Sequence, residues 1–157
     1  MTRSAAREIA VLILFAQSFS GYSPEELLKE WLDPAFYETL ADDDPLFKRP
    51  PDSDSAVYIR RLVSGALERL PELDAHIEKH SVGWGLGRMP RTAISILRAA
   101  IFELLYMPDV PRAAAINAHL DIAKRYDTLE VVAFINGILG SFFRTTLKNS
   151  EPPGEQS

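Results

Sequence analysis

Pro90-Arg-Thr-Ala-Ile94-Ser-Ile-Leu97-Arg-Ala-Ala-Ile101-Phe-Glu-Leu104-Leu105-Tyr-Met107 is the stretch that decides the fold class. Ile94, Leu97, Ile101, Leu104 and Leu105 recur at intervals of three and four, which lines one side of an α-helix. No part of the chain shows convincing period-two alternation, so strands are not expected. Pro108 and Pro111 close this stretch and separate it from a second helical pattern, Ala113 to Tyr126, with Ile116, Leu120 and Ala123 predicted inward. Asp127-Thr-Leu-Glu130 reads as a capping box opening a last helix through about Leu147. Its apolar face includes Val131, Phe134, Ile135, Ile138, Leu139 and Phe142.

Upstream, the same reasoning predicts a first helix from about Ser4 to Phe19, facing inward with Ala5, Ile9, Leu12, Ala16 and Phe19 and widened by Val11, Leu14 and Phe15. Arg3 and Arg7 before the apolar run 9–16 imitate the start of a signal peptide. Glu8 interrupts that pattern, no small-x-small cleavage site follows, and the run is far short of the ~20 residues a bilayer needs. A buried first helix is the better reading, and no other segment reads as membrane-spanning. Ser23-Pro24-Glu25-Glu26 is a capping box with proline at the first helical position, opening a helix through Trp31. Asp33-Pro34 repeats the signal for a shorter piece, Phe36 to Leu40. Residues 41–55, dominated by Asp, Pro and Ser, read as a solvated loop. A helical block follows from near Asp54 to Leu70, with Val57, Leu62, Ala66 and Leu70 among its apolar positions. Beyond Pro71, Leu73, Ile77 and Val82 are expected to carry a short helix. Gly83-Trp84-Gly85-Leu86-Gly87 is a glycine-broken turn whose tryptophan should pack inward. The tail 149–157 is polar and expected to be disordered. Together these signals predict an all-α chain of about seven helices, with one domain over 1–148.

Composition bounds the function. A chain of 157 residues buries roughly 70% of the surface its unfolded form exposes, so it needs no covalent staple. It has no cysteine, which excludes disulfides and thiolate metal sites and suits a reducing cytoplasm. A net charge of -5 argues against a broadly basic nucleic-acid binder. Screening confines each charge to about 8 Å at physiological salt, so a local basic patch remains compatible with that total.

Catalytic or metal chemistry finds little support. His76-Ile-Glu78-Lys-His80 sets two histidines one turn apart, but no third ligand is near and the glutamate is misplaced for a metalloprotease pattern. A solvated helix end, favoured by the dipole, is the simpler reading. His119 reads as a surface or edge residue. Gly83-x-Gly-x-Gly87 lacks the lysine of a phosphate loop and reads as a corner. Asn117 and Asn136 adjoin apolar positions, so they are expected to be buried and to hydrogen-bond between packed helices or to loop backbone. Glu103 is expected to pair with Arg98 or another arginine. Basic pairs are scattered: Arg3 and Arg7, Arg60 and Arg61, Arg88 and Arg91, Lys124 and Arg125, Arg144 and Lys148. Most such pairs are solvated helix surface. Arg3 and Arg7, however, share a face at a helix start, and Tyr126 follows Lys124-Arg125 at an exposed corner. Rings beside cations are what single-stranded RNA recognition uses.

Taken in order, several motifs carry a resemblance: Ala6-Arg7-Glu8-Ile-Ala10 with Leu14-Phe15, Tyr58-Ile-Arg-Arg-Leu62-Val-Ser-Gly65, and Leu73-Asp74-Ala-His-Ile77. They continue with Trp84 before Gly87-Arg88-Met89, Ile96-Leu-Arg98-Ala-Ala-Ile101-Phe-Glu-Leu104 and Val110-Pro111. Last come Ala115-Ile-Asn117, Asp121-Ile-Ala-Lys124-Arg-Tyr126 and Phe134-Ile-Asn136-Gly-Ile-Leu139. Over nearly its whole length the chain resembles the NusB family of transcription antitermination factors. That resemblance implies two packed helical bundles with no catalytic activity, cofactor or metal. It also implies binding of boxA-type single-stranded RNA together with a small-subunit ribosomal protein that doubles as a transcription factor. The complex joins RNA polymerase and suppresses termination, notably on ribosomal RNA operons. Carried over by position, the RNA-facing residues are Arg3, Ser4, Arg7, Tyr126 and Phe134. The partner surface involves Arg88, Arg91, Arg98 and Glu130.

The chain departs from the family pattern in having only two arginines at its start, Thr92-Ala93 and Ala118 where acidic residues are common, and a longer 41–55 loop. Two other readings share the fold: a helical protein-interaction module without specific RNA binding, and an RNA-recognition domain akin to one attached to some ribosomal RNA cytosine methyltransferases. A homodimer that masks the RNA surface is a further option.

Overall fold

Short polar side chains start most of the helices. In the computed structural model, which describes residues 1–147, Thr2 Oγ1 accepts a 3.0 Å hydrogen bond from the Ala5 N–H and opens α1 (Arg3–Ser20). Lys148 and the tail predicted for 149–157 lie outside the described residues. α1 ends at Gly21, whose φ of 68° is the left-handed conformation glycine adopts without strain. α2 (Pro24–Trp31) starts on the predicted capping box: Ser23 Oγ accepts from the Glu26 N–H at 3.2 Å and donates to its carboxylate at 3.1 Å. Asp33 caps α3 (Pro34–Leu40), and α4 runs Ser53–Glu68. The later helices are α5 (Leu70–His80), α6 (Arg91–Tyr106), α7 (Arg112–Tyr126) and α8 (Leu129–Phe142), followed by a π-helical turn, Phe143–Leu147. The described residues thus hold eight α-helices and no strand. No helix among them is long and apolar enough to cross a membrane.

The chain divides into two compact units, Met1–Glu68 and the residues from Arg69 onward. In the first, α1 packs on α4 and α2 lies against both. Ile9, Ile13, Leu28, Ile59 and Leu62 are wholly buried there. The inward face of α1 is rotated from the prediction: Ala6, Ala10 and Ile13 are buried, whereas Phe19 is 62% exposed. An almost entirely apolar helix has no unique stripe, so its packing partners choose the face. The 41–55 segment is also not simply solvated. Asp44 caps a 3-10 turn, Pro45–Phe47, and Phe47 sits 5.9 Å from the Tyr37 ring and 6.4 Å from Trp31. One aromatic side chain anchors a stretch whose composition reads as polar.

In the second unit α6 is central, and α5, α7 and α8 all pack on it. Ala93, Ile96, Leu97, Ala100 and Ile101 are wholly buried. α7 presents Ala115, His119, Ile122 and Ala123 inward, leaving the predicted Ile116 and Leu120 only half-buried. Asn117 on α7 and Asn136 on α8 are both exposed, against the expectation of interhelical hydrogen bonds. For α7 the reason is His119. It is fully buried, its Nε2 lies 2.8 Å from Glu103 Oε1, and that pairing makes the histidine face of α7 the inward one. The reading of His119 at the surface is therefore corrected, and Glu103 pairs with this histidine while Arg98 pairs with Asp74.

Candidate nucleic-acid and partner interface

The two opening arginines share a face, as their four-residue spacing requires. The Arg3 guanidinium carbon lies 4.1 Å and that of Arg7 5.6 Å from the centroid of the Tyr58 ring, buried on α4. Each such contact is worth roughly 0.5–2 kcal/mol, more as water is excluded. Arg3 and Ser4 are exposed, whereas Arg7 is only 5% exposed. The start of the chain is further fixed by its terminal ammonium, 3.2 Å from Asp52 Oδ2. Hydrogen bonds from the Ser55 backbone and hydroxyl, then the ammonium, hold the Asp52 carboxyl down at about 2. The position of Arg3 is therefore set by the fold rather than left to a loose terminus.

In the second unit Tyr126 ends α7 at 38% exposure, with the Arg125 guanidinium 5.8 Å from its ring. This corner is as the sequence predicts. Thr128, rather than Asp127, caps α8 by accepting from the Val131 N–H at 3.3 Å. Asp127 is turned instead toward α6, where it accepts from Thr92 Oγ1 at 2.7 Å. Thr92, one of the departures from the family pattern, thus ties the start of α6 to the α7–α8 corner. Phe134 is half-buried on α8, and the Trp84 ring lies 4.8 Å from it.

The proposed partner residues divide. Arg88, Arg91 and Glu130 are exposed, the first two flanking Met89-Pro90 at the entry to α6. Arg98 is differently placed. Its Nε and Nη2 donate to the two Asp74 carboxylate oxygens, each at 2.8 Å, a fork-to-fork pair clamping α5 to α6. That fixed geometry gives Arg98 a packing role which its sequence position did not disclose.

Neither histidine of the 76–80 pair is simply a solvated helix end. His80 is buried, with Nδ1 2.8 Å from Ser141 Oγ and the Phe142 ring 5.8 Å away. His76 also packs on Phe142, at 5.1 Å, and is half-buried. Burial, then the charges of Lys79 and His76, push the His80 pKa below its ordinary value, favouring the neutral ring. No group of three or more metal-ligating side chains that could hold an ion occurs among the described residues. The wholly buried Glu103–His119 pair reaches no solvent and serves to join α6 to α7.

Fold and site together define an all-helical protein whose exposed cations and rings stand at helix ends. The comparisons narrow this further. A family model, described as the NusB family, matches residues 4–144. The transcription antitermination protein NusB of Thermoanaerobacter sp. (strain X514) is 37% identical over 144 residues, 92% of this chain and 91% of that protein. The NusB protein of Desulfatibacillum aliphaticivorans is 37% identical over 139 residues, 88% and 87% of the two chains. Among solved structures, T. maritima NusB aligns with a TM-score of 0.79 at 27% identity, covering 96% of each chain. The antitermination factors NusB and NusE in complex with dsRNA align at 0.72 and 25%, covering 90% of this chain and 96% of that one. The chain belongs to the NusB family.

Proposed function

We propose that this chain is a non-catalytic transcription antitermination factor of the cytoplasm. It binds boxA-type RNA together with a small-subunit ribosomal protein and promotes processive transcription of ribosomal RNA operons as part of an RNA polymerase complex. The observation that carries this reading is family membership over nine-tenths of the chain, joined to a solved relative that holds both NusE and RNA. The chemistry agrees. An acidic molecule can hold RNA only through local cations and stacking: the first unit offers the cation Arg3 with Ser4, and the second offers the rings of Tyr126 and Phe134, with Arg125 beside Tyr126. Arg7 is the least accessible of the five residues and contributes least to phosphate contact. Arg88, Arg91 and Glu130 face the protein partner, with Arg98 supporting them from its clamp on Asp74. The two helical bundles act as one binding domain over 1–148.

The test is titration of labelled boxA RNA across a salt series, with and without the ribosomal protein. Phosphate contacts predict that log affinity falls with log salt by about 0.7 per contact for a single strand. Arg3→Ala should lower that slope by one contact, and Tyr126→Ala should weaken binding with the slope unchanged. Equal binding of a scrambled RNA would instead support a protein-interaction module that lacks specific RNA recognition.

A further inference from the structure

A pocket of about 230 Å³ opens on the second unit, lined by His80, Val82, Phe134, Gly137, Ile138 and Ser141. Its polar end is built rather than incidental. His80 is 8% exposed and uses Nδ1 on Ser141, while its buried Nε2 has no hydrogen-bond partner among the described residues. A buried polar atom left unpaired is costly, and such atoms in native proteins call for an explanation. One wall is Phe134, already backed by the Trp84 ring at 4.8 Å. The rim contains Gly137, in the middle of α8, where glycine weakens a helix by about 1 kcal/mol relative to alanine. A Cβ there would meet nothing within 4 Å among the described residues, so their packing does not require the missing side chain. Beyond Ser141 on α8, the exposed Arg144 folds back so that its Nη1 lies 3.1 Å from where a Gly140 Cβ would stand.

We propose that this pocket receives one nucleobase of the bound single-stranded RNA, stacked on Phe134 and read along its polar edge by His80 Nε2, with the adjoining phosphate on Arg144. The inference rests on the RNA-binding reading above. It adds a base-reading residue, His80, and a phosphate contact, Arg144. The volume lies below the roughly 300–1,000 Å³ of sites for drug-sized ligands, and suits a single planar ring. A flat aromatic wall, one deep hydrogen-bonding atom and a cation three residues beyond the lining Ser141 correspond to the face, edge and phosphate of a nucleotide. The tautomer sets which base is preferred. If Ser141 donates to Nδ1, Nε2–H reads a carbonyl oxygen of uracil or guanine. In the reverse arrangement Nε2 accepts from the amino group of adenine or cytosine.

The experiment uses the full chain with the ribosomal protein and boxA oligonucleotides carrying an abasic site at each position in turn. His80→Phe keeps a ring of similar shape and should weaken binding five- to tenfold, with no further loss on the one RNA whose abasic position empties the pocket. Gly137→Leu leaves His80 intact and fills the mouth. It should weaken RNA binding at least tenfold while raising the unfolding temperature, a pair of opposite effects that misfolding cannot produce. Arg144→Ala should lower the salt slope by about 0.7, whereas His80→Phe leaves it unchanged. Wild-type affinity and base preference in both His80→Phe and Gly137→Leu overturn the pocket while leaving the RNA-binding reading intact. So does loss of ribosomal-protein affinity in the absence of RNA, which would assign the pocket to a protein side chain. A wild-type chain that binds no RNA at any salt sinks the functional reading and the pocket together.

Discussion

Arg98 separates a packing role from a partner-binding role, because position alone suggests the second and geometry the first. Its guanidinium makes two parallel 2.8 Å hydrogen bonds to Asp74, with side-chain exposures of 20% and 24%. Fully exposed pairs contribute about 0–1 kcal/mol. Removing one partner of a fully buried pair costs about 3–5 kcal/mol. A pair about three-quarters buried falls between, so Arg98→Ala should cost about 1.5–3 kcal/mol. Asp74→Ala should cost a similar amount, and the double variant much less than their sum. Arg98→Lys keeps the charge but loses the fork, and should lose about half as much. At roughly 2–4 °C per kcal/mol for a chain of this size, Arg98→Ala should lower the melting temperature by about 3–12 °C. Circular dichroism during heating and urea titration measures the loss, and affinity for the ribosomal protein is read in parallel. A melting temperature unchanged within a degree, with partner affinity down tenfold, would refute the clamp and return Arg98 to the interface.

Two other expectations follow from the packing. Phe47→Ala should destabilise the first unit by about 1.5–3 kcal/mol, below the range for a fully buried phenylalanine because the ring is half-buried. Urea unfolding checks this, and a loss under 0.5 kcal/mol would restore residues 41–55 to a solvated loop. His80 makes stability depend on pH. Its folded-state pKa is depressed, so its contribution is present above the unfolded value of about 6.5 and is lost as pH falls through the lowered folded value. The urea midpoint should drop between pH 7 and pH 5, and His80→Gln should flatten that part of the profile. A wild-type midpoint that stays level over this window would show that the imidazole is not held neutral.

The sequence by itself determined the helical class, most helix boundaries and the exposed corner at Tyr126, because these depend on local signals. Apolar spacing, the Ser23 capping box and Gly21 act within a few residues of themselves, and the helix that the capping box opens and the one that Gly21 closes stand where these signals put them. The ordered run of motifs also carried the family. Only tertiary structure decided which face of α7 turns inward: hydrophobicity alone would favour Ile116 over its smaller neighbour Ala115, and His119 meeting Glu103, sixteen residues away, turns the other face in. Likewise Phe47 enters an aromatic cluster, Arg98 is spent on Asp74, and His80 lines a pocket with Ser141, sixty-one residues distant. Local propensity is a short-range quantity. Burial and hydrogen-bond partners are properties of residues far apart in the chain, and they are settled only when the helices pack.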